Sequence, residues 1–557
     1  MQNSTLVRGL LALPGQDKSL LKAFVFMAVL TFGLGIFYGT ATAFGRAGFI
    51  DLDAERGYQF MTLHGVTIFF YWLYFVQAVM VLVLAASYTE GADRIALRPL
   101  AWIAFAVMTL GFTLSEGAML AGVSILYNAP PEVITDHDQG PVGYFYLGYL
   151  LLGVGLIIVA LPAIWTAVKP RLDGKCDTWS AVAFAAVAFA GLLIVSGMAA
   201  INAFLPAALW AFKLTENVGM TYQMGWNLLF HNVHYLPLMA MVLLWYVLVE
   251  TTTGVKSIFG ARFSKIVFAS YLVFVPPTSL YHMFLEPNLP PLLLLLGSVL
   301  SLFISVPTVL VFLVIVVSLE VHARAAGARG LFGWIGLLPW KNPAMAAIGM
   351  AVVNLALGGG FSFVLISERL APLLSDTFFV PGYFHFLTLG AVSLTFIAAL
   401  LYIIPAITGR RLWRPDILAK LPFAVTAGLS VFAAGGIWGG YMGVPRRVFD
   451  ITYGGEAPEA WLIAMTLVGI GATIMALAMA VYVYALGISF LTATKAPAEE
   501  SIRNLTRVTW GGLSLGRHKA WTGPLAVLVL VIGMYAFSGL AFEIMNNLPV
   551  AIEGGGH

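Results

Sequence analysis

Five histidines lie inside apolar stretches of this 557-residue sequence: His64, His231, His234, His282 and His385. Imidazole is the commonest protein ligand for metals and haem iron, and an ionisable ring in hydrocarbon is costly unless it has a task. Taken singly, each is as well explained as a packing residue that hydrogen-bonds a neighbouring helix. Taken together, five such rings point to bound metal. His231, His234 and Tyr235 add spacing to residue type: three and four residues apart, they share one helix face. Tyr235 alone would be an ordinary interfacial aromatic. Arg446 and Arg447 follow Val444-Pro445 and offer planar forks suited to anionic carboxylates, although an arginine pair is equally at home in solvent. The other histidines, His137, His322, His518 and His557, fall in loops, near helix ends or at the terminus.

The elements that must carry these residues are membrane helices. The chain is 60% apolar and 10% charged, with mean hydropathy +0.92, where soluble domains carry roughly 25% charge. Runs such as 291–317 and 460–484 exceed the ~18 residues that mark a span. Thirteen candidate helices begin near residues 22, 62, 98, 143, 179, 224, 265, 292, 344, 379, 419, 458 and 522. The expectation is an all-α, polytopic membrane helix bundle forming a single domain over 1–557. The first run, 23–43, is too long for a signal-peptide core of about 7–15 residues and reads as a retained helix. The lone Cys176 excludes an intrachain disulfide or a cysteine cluster. No basic patch interleaved with aromatics suggests nucleic acid.

Charge orients the bundle. Of the 29 Lys and Arg residues, 23 fall on the side of the N-terminus and 6 on the other: Arg46, Arg56, Lys213, Arg369, Arg446 and Arg447. Such a bias places the N-terminus in the cytoplasm. With alternating helix directions, His64 falls in the first turn of the second span, and His231 and His385 about two turns into the sixth and tenth. His282 falls near the outer end of the seventh, so all five rings share the outer third of the membrane.

With these residues in place, the sequence resembles subunit I of the haem-copper oxidases, nearest the B-type (ba-type) cytochrome c oxidases. The resemblance rests on Leu63-His64-Gly65-Val66, Glu286-Pro287 and Gly330-Leu331-Phe332-Gly333-Trp334. It continues through Leu338-Pro339-Trp340, Asn342-Pro343, Val380-Pro381-Gly382 and Val444-Pro445-Arg446-Arg447, in the family's order. It implies that His64 and His385 are the axial ligands of a low-spin haem b and that Arg446 and Arg447 clamp propionates. It implies that His231 and His282 are metal ligands and that Tyr235 is the catalytic tyrosine. It further implies copper, electron transport in a respiratory chain, a prokaryotic-type inner membrane surrounded by lipid, and a copper-bearing or cytochrome second subunit on the outer side.

The sequence departs from the family at several positions. Tyr281-His282 stands where the family has two histidines, and Tyr383-Phe384-His385 where it has His-Phe-His, so Tyr383 occupies the place of the high-spin haem ligand. Ser375 replaces an outer histidine. Ser301 and Thr308 match proton-path hydroxyls, but Val311 and Val314 replace the next two, with Tyr246 a remnant. One expectation is an oxidoreductase passing electrons from low-spin haem b to an oxygen- or nitric oxide-reducing site. There Tyr383 ligates a second haem, as tyrosine does in catalase, and His234 joins His231 and His282 around copper or non-haem iron. The alternative is a divergent paralogue that keeps only the low-spin haem as an electron carrier. Nitric oxide reduction ranks lower, because no glutamate accompanies 231–235. A transporter without redox chemistry ranks lowest.

Overall fold

In hydrocarbon a peptide group has no water to bond, so each apolar run must close its hydrogen bonds internally as a helix. The computed structural model describes residues 4–125, 139–276, 290–366 and 370–547, except 498, 499, 501, 503 and 504. Its principal helices are α1 (Thr5–Ala12), α2 (Gly15–Arg46), α3 (Ala54–Tyr88), α4 (Arg98–Leu120), α5 (Gln139–Leu172), α6 (Ala181–Ala211) and α7 (Met220–Thr253). They continue with α8 (Gly260–Phe274), α9 (Pro291–Ala325), α10 (Pro343–Ser362), α11 (Phe379–Thr408), α12 (Pro415–Tyr441), α13 (Glu459–Leu491) and α14 (Thr522–Asn547). Among the described residues no strand forms, only two isolated bridges, Thr377 with Pro445 and Arg410 with Lys495.

Helices stand at every expected place. Among the described residues, eleven are long and apolar enough to cross a membrane. The two remaining expected spans correspond to α8, described over 15 residues, and to α14, whose described apolar part is Thr522–Gly533. The short α1 was not expected from hydropathy. Its Ser4 hydroxyl meets Thr251 Oγ1 at 3.0 Å and Thr5 donates to Glu250 at 3.0 Å, pinning it to the end of α7.

Consecutive helices from α4 to α7 pack as neighbours, as do α12 and α13, and α13 returns to pack on α2. Water-free packing brings little hydrophobic gain between spans, so contact relies on small residues and interhelical hydrogen bonds. Both occur here. Trp72 Nε1 donates to Ser393 Oγ at 3.1 Å, and Trp245 Nε1 to Thr395 Oγ1 at 2.9 Å, tying α3 and α7 to α11.

Glu320 on α9 shows how a buried charge can be held. Its fully buried carboxylate takes the guanidinium of Arg324 at 2.7 Å and the backbone N–H groups of Trp521, Thr522 and Gly523 at 2.8, 2.9 and 3.2 Å. These amides begin α14, where an anion is favoured by the unpaired N–H groups and the helix dipole. Glu320→Ala leaves Arg324 without its carboxylate and α14 without its cap. The expected loss is about 3–5 kcal/mol, read as a lowered unfolding temperature in detergent, with proteolysis beginning near residue 521.

Candidate functional site

The second span places its histidine deeper in the helix than the apolar pattern suggests. Asp53 accepts the Arg56 N–H at 2.8 Å and Glu55 occupies the first turn, so α3 begins at Ala54 in a polar stretch. His64 therefore lies about three turns into α3, not in its first turn. His385 lies two turns into α11, as expected.

The two rings come together. Their centroids are 6.3 Å apart and their planes differ by 6°. His64 Nδ1 is 2.8 Å from the Gly35 carbonyl and His385 Nδ1 is 2.7 Å from the Pro381 carbonyl. A carbonyl can only accept, so each Nδ1 carries the proton and each Nε2 keeps a free lone pair. That is the tautomer a metal ligand needs, set by the outer hydrogen bond that metal-binding histidines usually make. Phe432 packs against the His385 ring at 4.7 Å.

Glycines admit this arrangement. A Cβ at Gly39 would lie 2.5 Å from His64 Cε1 and Nδ1, and one at Gly35 would strike Ile68. The missing side chain at Gly39 lets the His64 ring come close to α2 and reach the Gly35 carbonyl. On the other side, a Cβ at Gly382 would come within 2.8 Å of the Ile437 nitrogen, and one at Gly436 within 2.7 Å of Gly382 Cα. Thus α11 crosses α12 backbone to backbone just before His385.

Each histidine is followed by a wider turn. Residues Thr67–Trp72 and Phe386–Ser393 are π-helical, a geometry that is rare and concentrates at functional sites. No residue type in either segment announces it.

The other expected residues divide. Tyr383 is two residues from His385, about 200° around the helix. It is buried in a separate apolar cluster with Val364, Leu365, Leu370, Leu374 and Phe379. Tyr235 is half-buried on α7. The side chains of His231, His234 and Ser301 lie outside the described parts of their helices, and Tyr281, His282 and Glu286-Pro287 lie outside the described residues. Ser375 ends the short helix Ala371–Leu374. Val311 and Val314 are fully buried, while Thr308 shares a 2.8 Å hydrogen bond with Tyr271, and Tyr246 donates to Ser264 at 3.2 Å.

Arg446 holds Asp376 at 3.1 Å, its backbone N–H also bonding the Asp376 carbonyl. Arg447 is half-buried beside it. Sequence inspection missed Arg46, which charge counting treats as a loop cation. It is 5% exposed at the end of α2, donates to the Pro445 carbonyl at 2.8 Å and to the Val448 carbonyl, and lies 4.7 Å over the Phe378 ring. The Nε–H groups of Arg46 and Arg446 are buried and find no acceptor among the described residues. Also missed was Glu116, a carboxylate within an apolar run, which is itself a readable signal. It is buried on α4 and accepts from Tyr38 and Thr67.

The family described as cytochrome c and quinol oxidase polypeptide I matches residues 19–474. The chain belongs to that family. It is similar to cytochrome c oxidase subunit 1 of Thermus thermophilus, with 29% identity over 89% of this chain and 88% of the relative. A probable cytochrome c oxidase subunit 1-beta of Nocardia farcinica is 25% identical over 74% of this chain and 63% of that protein. A solved haem-copper terminal oxidase dimer shares the fold, with TM-score 0.72 and 20% identity, covering 95% of this chain and 92% of that one. Oxidase subunit I membership implies haem and copper as cofactors, a multi-pass membrane setting and association with further subunits.

Arg46 is the tie between α2 and the loop carrying Arg446 and Arg447. Arg46→Ala removes two charge-assisted hydrogen bonds of about 1.5–3 kcal/mol each. Amide hydrogen exchange should rise across 445–448, while the α2 core keeps its protection.

Proposed function

We propose that this subunit passes electrons through a low-spin haem b held between His64 and His385, and onward to an oxygen-reducing centre between α11 and α7. The carrying observation is the parallel imidazole pair, 6.3 Å apart, with both Nδ1 protons committed to backbone carbonyls. The spacing leaves room for one ion bonded to a nitrogen of each ring at about 2.0 Å. The unpartnered Nε–H donors of Arg46 and Arg446 suit anionic propionates, and Arg446 already grips a carboxylate in Asp376. When bound, the haem supplies reversible one-electron chemistry.

The chain's own residues then have defined work. The Gly35 and Pro381 carbonyls fix the tautomers and raise imidazole basicity. Phe432 and the buried faces of α2 and α12 hold the rings and exclude water. Arg446 and Arg447 would neutralise carboxylates at the outer end. His231, His282 and, as replacement for the missing histidine at 281, His234 would hold copper or non-haem iron. Tyr383 would be the phenolate ligand of a second, high-spin haem, and Tyr235 the proton and electron donor at that centre. Electrons would enter from a copper-bearing or cytochrome subunit docked on the outer face of a prokaryotic-type inner membrane. The bacterial relatives and the arginine-poor outer side support that setting.

A second reading has its own observation. Tyr383 sits within the cluster of Val364, Leu365, Leu370, Leu374 and Phe379, as a packing residue would. In that case the chain is an electron carrier with the low-spin haem alone.

Haem and metal per polypeptide, with reduced spectra before and after CO, separate the two. Two haems, one of them binding CO, with about one copper or iron, are expected. One haem without a CO response and without a second metal would leave the electron carrier. His385→Ala should remove the low-spin spectrum in either case, and its persistence would refute the axial assignment.

A further inference from the structure

Glu116 is a carboxylate in a membrane-spanning helix, 7% exposed, and among the described residues no cation pairs with it. Burying a charge this way is expensive, and such groups usually have a function. Its surroundings lead to the histidine pair. Tyr38 donates to Oε1 at 2.6 Å and Thr67 to Oε2 at 2.9 Å. Tyr38 immediately precedes Gly39, the residue against which His64 lies. Thr67 is one turn beyond His64, with side chains at that spacing roughly 5–6 Å apart at Cβ. Both oxygens of the carboxylate are thus held by residues one position from Gly39 on α2 and one turn from His64 on α3.

The groups facing it are otherwise neutral. From α2 comes the phenol of Tyr38. From α3 come Thr67 and Tyr71, the latter bonding Ser115 beside Glu116 at 2.8 Å, and Gln59, which donates to the Met119 carbonyl. From α5 comes the Phe145 carbonyl, which accepts from Ser115 at 3.2 Å, and the rings of Tyr146 and Tyr149 pack against the Phe145 ring. A change of charge between the imidazoles would reach this carboxylate across α2 and α3, through low-dielectric surroundings.

We propose that Glu116 is the redox-linked proton acceptor of the histidine-held centre. The inference rests on the low-spin haem reading above. The step balances simply. One electron arrives from a one-electron reductant, a reduced mediator dye in the test below. One proton from outer-side water forms an O–H bond on the Glu116 carboxylate, and both leave on reoxidation. The route is short, since Glu116 lies four residues before α4 ends at Leu120, about 6 Å along the axis. Tyr38 suits the exchange because a phenol donates to the carboxylate and can turn to accept from the acid.

The test is a spectroelectrochemical titration of the purified full chain from pH 5 to 10, following the low-spin haem band with mediator dyes. In the wild type the midpoint potential should fall as pH rises over a limited range. In Glu116→Gln the potential should be higher and flat with pH, the unchanged low-spin spectrum showing that the variant has folded. In Tyr38→Phe the carboxylate loses one of its two donors, so the sloping range should shift in position while the low-spin spectrum is kept. Infrared difference spectra of the wild type should show a protonated carboxyl signal appearing on reduction, and this readout survives even if Glu116→Gln misfolds. A wild-type potential independent of pH, a slope retained in Glu116→Gln, or no carboxyl signal would each overturn the inference. A wild type lacking the low-spin haem would instead overturn the site reading itself, a distinct result.

Discussion

The contact between α2 and the His64 imidazole is the constraint on which the site depends. The ring can approach α2 because Gly39 carries no side chain, and Gly35 one turn earlier likewise makes room for Ile68 of α3. The same bare backbone exposes a carbonyl that takes the Nδ1 proton. One local feature therefore fixes three things at once: the ring's depth, its rotation and its tautomer. Imidazole basicity at Nε2 follows from the last of these.

The opposing half is built on the same physics with different parts. The α11–α12 crossing at Gly382 and Gly436 brings two backbones into contact, so His385 starts from a fixed point. Its carbonyl partner, Pro381, is on its own helix, where a proline imposes φ and lacks an N–H. Arg46 then connects the two halves, joining the end of α2 to the 445–448 loop by hydrogen bonds and to Phe378 by its guanidinium face. A buried arginine with such ties needs no carboxylate to be held, which is why no acidic partner in the sequence points to it.

Much of this was legible in the sequence, for identifiable reasons. Long apolar runs with few charges force helices, and histidines within them stand out by cost. The pairing of His64 with His385 came from family resemblance, because rings on spans far apart in sequence carry no spacing rule. Hydropathy starts α3 too late because Glu55, Arg56 and Gln59 interrupt the apolar pattern of its first turns. Counting charges by side places Arg46 among the six cations opposite the N-terminus, but it carries no information on burial. Glu116 was readable as an acid in an apolar run, yet its partners required knowing that Tyr38 of α2 and Thr67 of α3 meet at α4. The π-helical turns had no signature at all, since their hydrogen-bond shift leaves composition unchanged.

Those turns carry a consequence for how the chain tolerates change. A wide turn after each histidine sets the angular phase between the imidazole and the rest of its span. Loss of a single residue within Thr67–Trp72 would restore ordinary winding and keep hydropathy, length and membrane crossing intact. It would also rotate the outer half of α3 by about 100° against the inner half, carrying His64 away from His385. Insertions and deletions are usually neutral in loops and ruinous in cores because of packing. In these two segments they would act as a clutch, disengaging the paired rings while the bundle around them stays assembled.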